Sequence, residues 1–326
     1  MKTCVCITTI NAPTESVRAW VKLYPDGVIV VGDAKTPSDW LCQGSFYFPT
    51  SAGLPSLSNR IGDNRYQRKM LGYVSAAIEG ADVIIDTDDD NEPWSERHRV
   101  MLTAWQGAWH EANTPGWMNP HAYYNERYTW PRGLPLPAIA KDGLPLSQGD
   151  VCQVGIWQGL AQENPDLDAI GRLTDGRPVV FPFYHVPFTL APGTLAPINS
   201  QATLIRRECF PLLYLPCTVS MRVCDILRGY VAQPVMWAAG YRIGFCGPIV
   251  RQQRNPHDLM DDFRQELPLY LGMGEAVIEK VCAVVKPEAS MADNLRAAYR
   301  AIVGVHGIGD ESATLEEWLA AILPLR

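Results

Sequence analysis

The sequence predicts an α/β fold organised around a parallel, doubly wound sheet. Three observations carry that expectation. Short apolar runs alternate with amphipathic stretches through the first part of the chain. The run Val83-Ile84-Ile85 ends at once in carboxylates, as a buried strand does where it leaves a sheet. The 326 residues are 47% hydrophobic and 19% charged, enough apolar material for one large core.

The elements are these, in chain order. Residues 4–10 read as the first strand, with Cys4 and Cys6 on one face. Residues 15–23 read as a short helix that turns Val17, Trp20 and Val21 to one side. Residues 27–32 (Gly-Val-Ile-Val-Val-Gly) read as a second buried strand ending at Asp33. Helical spacing through Met70, Tyr73, Val74 and Ala77 places a helix over 65–79, just before the acidic strand. From 92 to 151 the chain is rich in Trp, Pro, Asn and Tyr, which predicts long ordered loops. Residues 181–248 hold short strands between Pro and Gly turns. The tail predicts helices over 259–271, 274–285, 289–303 and 315–322, the last capped by Thr314 with Glu317 three residues on. This divides the chain into a main domain at 1–265 and a helical extension at 266–326.

Composition excludes some classes. A net charge of −7 and a pI near 5.4 argue against nucleic-acid binding through a basic surface. Nine cysteines, an odd number with no paired zinc spacing, predict reduced, mostly buried thiols. No run of 18 or more apolar residues predicts a membrane span, and the first residues carry no long apolar signal segment. Together these give a cytoplasmic protein as the expectation.

The chemistry centres on Asp86-Thr87-Asp88-Asp89-Asp90, four carboxylates within five residues. Carboxylates packed so closely repel, and a hard divalent cation offsets that repulsion. Mg²⁺ and Mn²⁺ take carboxylate oxygens and commonly complete their shell with substrate phosphates. Thr8 and Thr9 after the first strand and Asp33 after the second would converge with this cluster. Their hydroxyls and carboxylate suit a nucleoside. Arg65, Arg68 and Lys69 could neutralise phosphate, although each also fits an exposed helix face.

Asp33, the run Arg68-Lys69-Met70-Leu71-Gly72-Tyr73 and the acidic cluster, in that order, resemble a GT-A glycosyltransferase, and more specifically the STELLO glycosyltransferase group. Further segments extend the resemblance over about residues 4 to 265. They are Trp130-Pro131-Arg132-Gly133-Leu134, Pro165-Asp166-Leu167-Asp168-Ala169, Asn199-Ser200-Gln201 and Arg222-Val223-Cys224-Asp225-Ile226-Leu227-Arg228. Met70 departs from the expected pattern, where Asn would stand. The resemblance implies a GT-A, nucleotide-diphospho-sugar transferase fold: a Rossmann-like mixed sheet flanked by helices. It implies metal-dependent transfer from a nucleoside-diphosphate sugar, UDP-linked, to a hydroxyl acceptor such as a glycan, as in polysaccharide biosynthesis.

Within that picture Asp88 and Asp90 hold Mn²⁺ or Mg²⁺, with His257 as a third ligand and His110, His121 and His185 as weaker candidates. Asp86, Asp88 and Asp89 would face the donor, and Asp86 could equally brace the cluster. Arg132 and Arg228 would hold donor phosphate or an acceptor anion. Asp225 is the candidate general base, with Asp166 and Asp168 as alternatives; a helix cap is the plainer reading of Asp225. Trp94, Tyr123, Tyr124 and Trp130 could stack on a sugar or simply pack. Two other readings compete. One is a sugar-nucleotide mutase of the reversibly glycosylated polypeptide kind, suggested by the Pro165–Ala169 segment. The other is a non-catalytic regulatory protein on the same fold.

Overall fold

The computed structural model describes residues 1–49, 54–94, 97–124, 128–139, 145–182 and 186–325. The strands are β1 (Thr3–Thr8), β2 (Val28–Val31), β3 (Ser45–Phe48), β4 (Val83–Thr87), β5 (Asn91–Pro93), β6 (Gln106–Ala112), β7 (Gly116–Trp117), β8 (Leu146–Gln162), β9 (Phe188–Leu190), β10 (Thr194–Leu195), β11 (Ala202–Arg206) and β12 (Tyr241–Gln252). The helices are α1 (Glu15–Leu23), α2 (Pro55–Ile61), α3 (Lys69–Ile78), α4 (Arg97–Met101), α5 (Leu136–Ile139), α6 (Ala169–Thr174), α7 (Met221–Ala238), α8 (Leu259–Tyr270), α9 (Met273–Val284), α10 (Met291–Ala301) and α11 (Ser312–Ile322).

Ten strands form one mixed sheet in the order β3-β2-β1-β4-β11-β8-β6-β9-β12-β5. The first four are mutually parallel, and β11 runs antiparallel to both β4 and β8. Period-two alternation explains how this sheet is covered on both faces. Cys4, Cys6, Ile29, Val31 and Ile84 enter one core with Met70, Tyr73 and Val74 of α3. Val5, Ile7, Val28, Val30, Val83 and Ile85 enter the other, with Val17 and Trp20 of α1. α1 and α3 thus lie on opposite faces, the doubly wound arrangement expected of the first part of the chain.

The chain moves outward from β1 to β2 and β3, then returns to place β4 on the other side of β1. That reversal opens a crevice beyond the carboxyl ends of β1 and β4, the place where open α/β sheets bind ligands. β8 also pairs with β12, so β8, β6, β9 and β12 close a ring of strands at the far end of the sheet.

Three expectations are corrected. Residues 92–151 are not mainly loop: they contain β5, β6, β7 and the start of the 17-residue β8. The helix expected over 65–79 begins with a tight turn at Tyr66–Arg68 and becomes α-helical only at Lys69. α11 starts at Ser312, so Thr314 lies within it and is no cap. The tail helices do form, and they share the larger core. Val277, Leu295 and Trp318 pack in one cluster with Tyr73 and Leu227, and Trp318 meets Tyr73 edge-on. The boundary expected at 265/266 falls inside α8, whose Glu266 is fully buried against Arg222 of α7. All nine cysteines are free thiols, and most are buried.

Candidate active site

A cavity of about 610 Å³ lies at the ends of the parallel strands. That is the size of a site for a nucleotide-scale molecule. Thr8 and Thr9 line it from β1, Asp33 from β2, and Asp88, Asp89 and Asp90 from beyond β4. The same cavity is lined by Arg65, Arg68, Arg132, Arg222 and Arg254, with Asp166, Asp225 and His257. Carboxylates and guanidinium groups are interleaved around it: Arg68 lies 3.8 Å from Asp33, and Arg132 pairs with Asp166 and Asp225.

Register divides the acidic cluster by role. Asp86 is still inside β4, opposite Cys6 of β1 and Thr203 of β11, and is fully buried. Lys69 Nζ meets it at 2.8 Å and Arg228 Nη1 at 3.0 Å. Buried charges persist only when paired, and this one is paired twice. Burial opposes the charge on Lys69 and Arg228, yet the carboxylates hold both cations above their ordinary range. Asp86, Lys69 and Arg228, expected at the donor, instead form a buried ionic floor and do not line the cavity. Met70, the departure from the family pattern, is buried too, its Sδ accepting from Leu215 N.

Beyond the strand end the other carboxylates diverge. Asp88 Oδ1 accepts from Lys69 Nζ and from the Tyr66 hydroxyl, both at 2.8 Å. Burial, then the nearby Asp90 and Asp86, push Asp88 up to about 6 against the pull of Lys69. Asp89 is a brace: its Oδ2 takes the Thr9 hydroxyl at 2.5 Å and Asn11 Nδ2 at 3.0 Å. Asp90 Oδ2 accepts from Gln252 Nε2, whereas its Oδ1 is buried with no hydrogen-bond partner. Burial raises Asp90 as well. Asp33 accepts from the backbone N–H groups of Ala34, Asn64 and Arg65, so it fastens the 62–65 loop to β2.

His257 turns Nδ1 to Asp262, 3.2 Å from Oδ2, which leaves Nε2 as the ring nitrogen for a ligand. Asp88, Asp90 and His257 share one cavity. They do not converge into a cage: among the described residues no cluster of three His, Cys, Asp or Glu side chains is arranged to hold a metal ion. Each already has a partner on one side: Lys69 on Asp88, Gln252 on Asp90 and Asp262 on His257. The orphaned Asp90 Oδ1 and the raised Asp88 still fit a cation that draws its remaining oxygens from a diphosphate. His110 is exposed on β6, and His121 is buried against Phe181, burial lowering it to about 3. His185 lies outside the described residues.

The Trp-Pro-Arg-Gly segment acquires a physical meaning. Gly133 has φ +87°, and an added Cβ would strike Ile226 of α7. Only glycine lets the chain press so closely on α7 and send Arg132 into the cluster. Arg132 bonds Asp166 through Nε at 2.9 Å and Nη2 at 2.7 Å, and Asp225 through Nη1 at 3.1 Å and Nη2 at 3.0 Å.

This revises the catalytic candidates. Asp225 Oδ1 also accepts from Ile226 N, and Oδ2 from Ser200 N, so each oxygen carries two N–H donors. A carboxylate offers about four lone-pair positions, and all are taken. As a proton acceptor Asp225 is therefore badly placed, and it is not a helix cap either, since α7 begins four residues earlier. Asp166 is buried, but the Arg132 guanidinium overrides that and holds it down at about 2, a weak base. Asp168 lies outside the cavity: it caps α6 by accepting from Gly171 N and takes the Trp130 indole N–H at 2.8 Å.

The four aromatic candidates pack elsewhere. Tyr123 and Tyr124 lie on Phe188, Trp130 on Asp168, and Trp94 under Arg251. Among the described residues, the Tyr or Trp side chain that does line the cavity is Tyr66. Sequence reasoning missed it, because a tyrosine five residues ahead of Leu71 gives no distinguishing signal.

Comparison with known proteins adds to this geometry. No family model matches the chain. The chain is a distant relative of two Arabidopsis thaliana proteins. "Probable glycosyltransferase STELLO2" is 28% identical over 297 residues, 84% of this chain and 38% of the relative. "Probable glycosyltransferase STELLO1" is 28% identical over 258 residues, 72% of this chain and 33% of the relative. The resemblance read from the motifs is borne out at this level. The chain spans only 38% and 33% of the length of these relatives.

Among solved structures, a mycobacterial protein aligns at TM-score 0.46 and 12% identity, over 84% of this chain and 74% of that one. S. aureus TarS 1-349 aligns at 0.35 and 11%, over 100% and 71%. GalNAc-T7 with UDP, GalNAc and Mn²⁺ aligns at 0.39 and 9%, over 99% and 57%. Likenesses at these scores carry no weight in assigning a function.

Proposed function

We propose that the protein is a metal-dependent glycosyltransferase that moves a sugar from a nucleoside-diphosphate donor to a hydroxyl acceptor. The observation that carries this reading is the large cavity at the strand reversal, lined by Asp88 and Asp90 and by Arg65 and Arg132. The distant relationship to the STELLO proteins supports it. A UDP-linked sugar and a glycan acceptor are the finer form of the proposal.

Thr8, Thr9 and the Asp33-anchored loop form the nucleoside end. Arg65, exposed and without a carboxylate partner among the described residues, meets the diphosphate as a charge-assisted donor. Asp88, Asp90 and the Nε2 of His257 would hold Mn²⁺ or Mg²⁺, with Asp262 orienting the imidazole. Bound there, the cation would supply charge to stabilise the departing diphosphate. Arg132 holds the Asp166 and Asp225 carboxylates in place on the cavity wall, so this wall is pre-ordered before a donor arrives.

The test is a thermal-shift panel of nucleotide sugars with and without Mn²⁺. A ligand that binds only the native state raises its melting temperature, by about 2.7 kcal/mol of stability at a hundred times Kd. The expected result is a Mn²⁺-dependent rise that Asp88→Ala and Asp90→Ala together abolish. A full rise in the double variant sinks the metal assignment. Analysis of products without acceptor separates a transferase from a mutase, which would interconvert ring forms of the sugar nucleotide unaided.

A further inference from the structure

A second cavity of about 230 Å³ adjoins the donor cavity and shares the Arg254, Asn255 and His257 wall with it. It is below the ~300–1,000 Å³ of most small-molecule sites, so it suits a single charged group rather than a nucleotide. Its electrostatics are lopsided. Both carboxylates on its lining are already answered: Glu163 by Arg251 at 2.7 Å and Asp175 by Arg177 at 2.7 Å. Arg254 reaches Asp262 at 3.1 Å.

Arg172, presented by α6, is different. Among the described residues no carboxylate lies within ion-pairing distance of it. Its Nη2 donates to the Pro165 carbonyl at 2.6 Å, and its Nε is buried with no acceptor. A buried N–H without an acceptor costs free energy comparable to a lost hydrogen bond. Burial, and then repulsion from Arg254, pull Arg172 down to about 10, which still leaves it cationic at neutral pH. Two guanidinium groups thus line one cavity, one with an unused donor. Arg172 sits there because α6 is pinned, by the Asp168 cap and by the Glu266 carboxylate on Ala169 N.

We infer that this cavity binds a small oxyanion, the carboxylate or phosphate group of the acceptor, between Arg172 and Arg254. Guanidinium forks match the planar, paired oxygens of such groups. The shared wall then sets the acceptor next to the donor. Naming the acceptor as the carrier rests on the transferase reading; the oxyanion site itself does not.

The experiment is calorimetric titration of the full chain with inorganic phosphate, glucuronate and, as a neutral control, glucose. It is run on the wild type, Arg172→Gln and Arg65→Gln. Saturable binding of at least one anion and none of glucose is expected, weakened by about tenfold or more in Arg172→Gln, as loss of a charge-assisted bond requires, and kept in Arg65→Gln. Preference between phosphate and glucuronate identifies the group. No saturable anion binding to the wild type overturns the inference. So does unchanged affinity in Arg172→Gln, or a loss confined to Arg65→Gln, which would put the anion in the donor cavity. Should Arg172→Gln fail to fold, phenylglyoxal labelling of the wild type decides. Phosphate is expected to protect Arg172 and leave Arg60, which is exposed and lines neither cavity, reactive, and equal labelling of Arg172 with and without phosphate refutes the site. Anion binding without any nucleotide-sugar response would leave the oxyanion site standing and remove the transferase reading.

Discussion

Replacing Asp225 by Asn separates two accounts of the same residue. The side chain is nearly buried, and its two oxygens accept two bonds from Arg132 and one each from Ser200 and Ile226. Asn keeps one acceptor oxygen and turns an NH₂ group toward two N–H donors. Losing one charge-assisted bond costs about 1.5–3 kcal/mol, and the misplaced amide adds a further ~1 kcal/mol or more. Arg132 retains Asp166, which keeps the total below the ~3–5 kcal/mol of a fully broken buried pair. About 3 kcal/mol is the working figure. Unfolding entropy near 2.1 cal/mol/K per residue gives a chain of 326 residues roughly 0.7 kcal/mol/K, so the melting temperature should fall by about 4 °C. The assay pairs thermal denaturation with steady-state kinetics below the transition. A structural Asp225 predicts that drop in melting temperature with kcat within about an order of magnitude of wild type. A melting temperature within about a degree of wild type, with kcat down by ~10²–10⁴, is the signature of a lost general base. That outcome would refute the reasoning from filled lone pairs.

Two other outcomes are expected. Asp33→Ala removes the acceptor for three backbone amides and should cost about 1–3 kcal/mol of stability; nucleotide affinity should fall with it, and unchanged affinity by calorimetry removes Asp33 from the donor site. Asp166, held at about 2 by Arg132, contributes stability that is complete above its unfolded value near 3.8 and is lost as pH falls from there toward 2. Acid melting curves should therefore fall more steeply for the wild type than for Asp166→Asn in that window, by on the order of 2 kcal/mol; parallel curves would contradict it.

Of the parallel strands, β1, β2 and β4 were readable because they are largely buried on both faces and end where their chemistry begins; β3, a half-buried edge strand, was not. Val28–Val31 and residues 83–85 are continuous apolar runs, the first followed by Gly32 and Asp33 and the second directly by Asp86. The far half was hidden. β6 reads Gln-Gly-Ala-Trp-His-Glu-Ala and has exposed residues along one side, and β8 starts in a Gly- and Gln-rich stretch, so neither shows an apolar run. At the site, residue types were legible but their division of labour was not. Asp86 and Asp88 are chemically identical and two residues apart. Only the point at which β4 stops makes one a buried counter-charge and the other a cavity wall. The oversupply of donors on Asp225 comes from Arg132, Ser200 and Ile226, and the Arg132 and Ser200 contributions join parts of the chain far apart in sequence.

The ammonium of Lys69 gives the acidic wall an unusual property. It sits 2.8 Å from both Asp86 and Asp88, tethered through its side chain to the start of α3. Viewed as an ion exchanger, the wall is already loaded with a monovalent counter-ion that cannot diffuse away. A free Na⁺ or K⁺ offers Asp88 no more charge than Lys69 does, and it must in addition surrender its translational freedom. A doubly charged ion brings an excess that the tethered ammonium cannot match, and Asp90, which Lys69 does not reach, is where that excess is felt. If a cation binds here as proposed, the lysine would set the valence threshold that it must exceed.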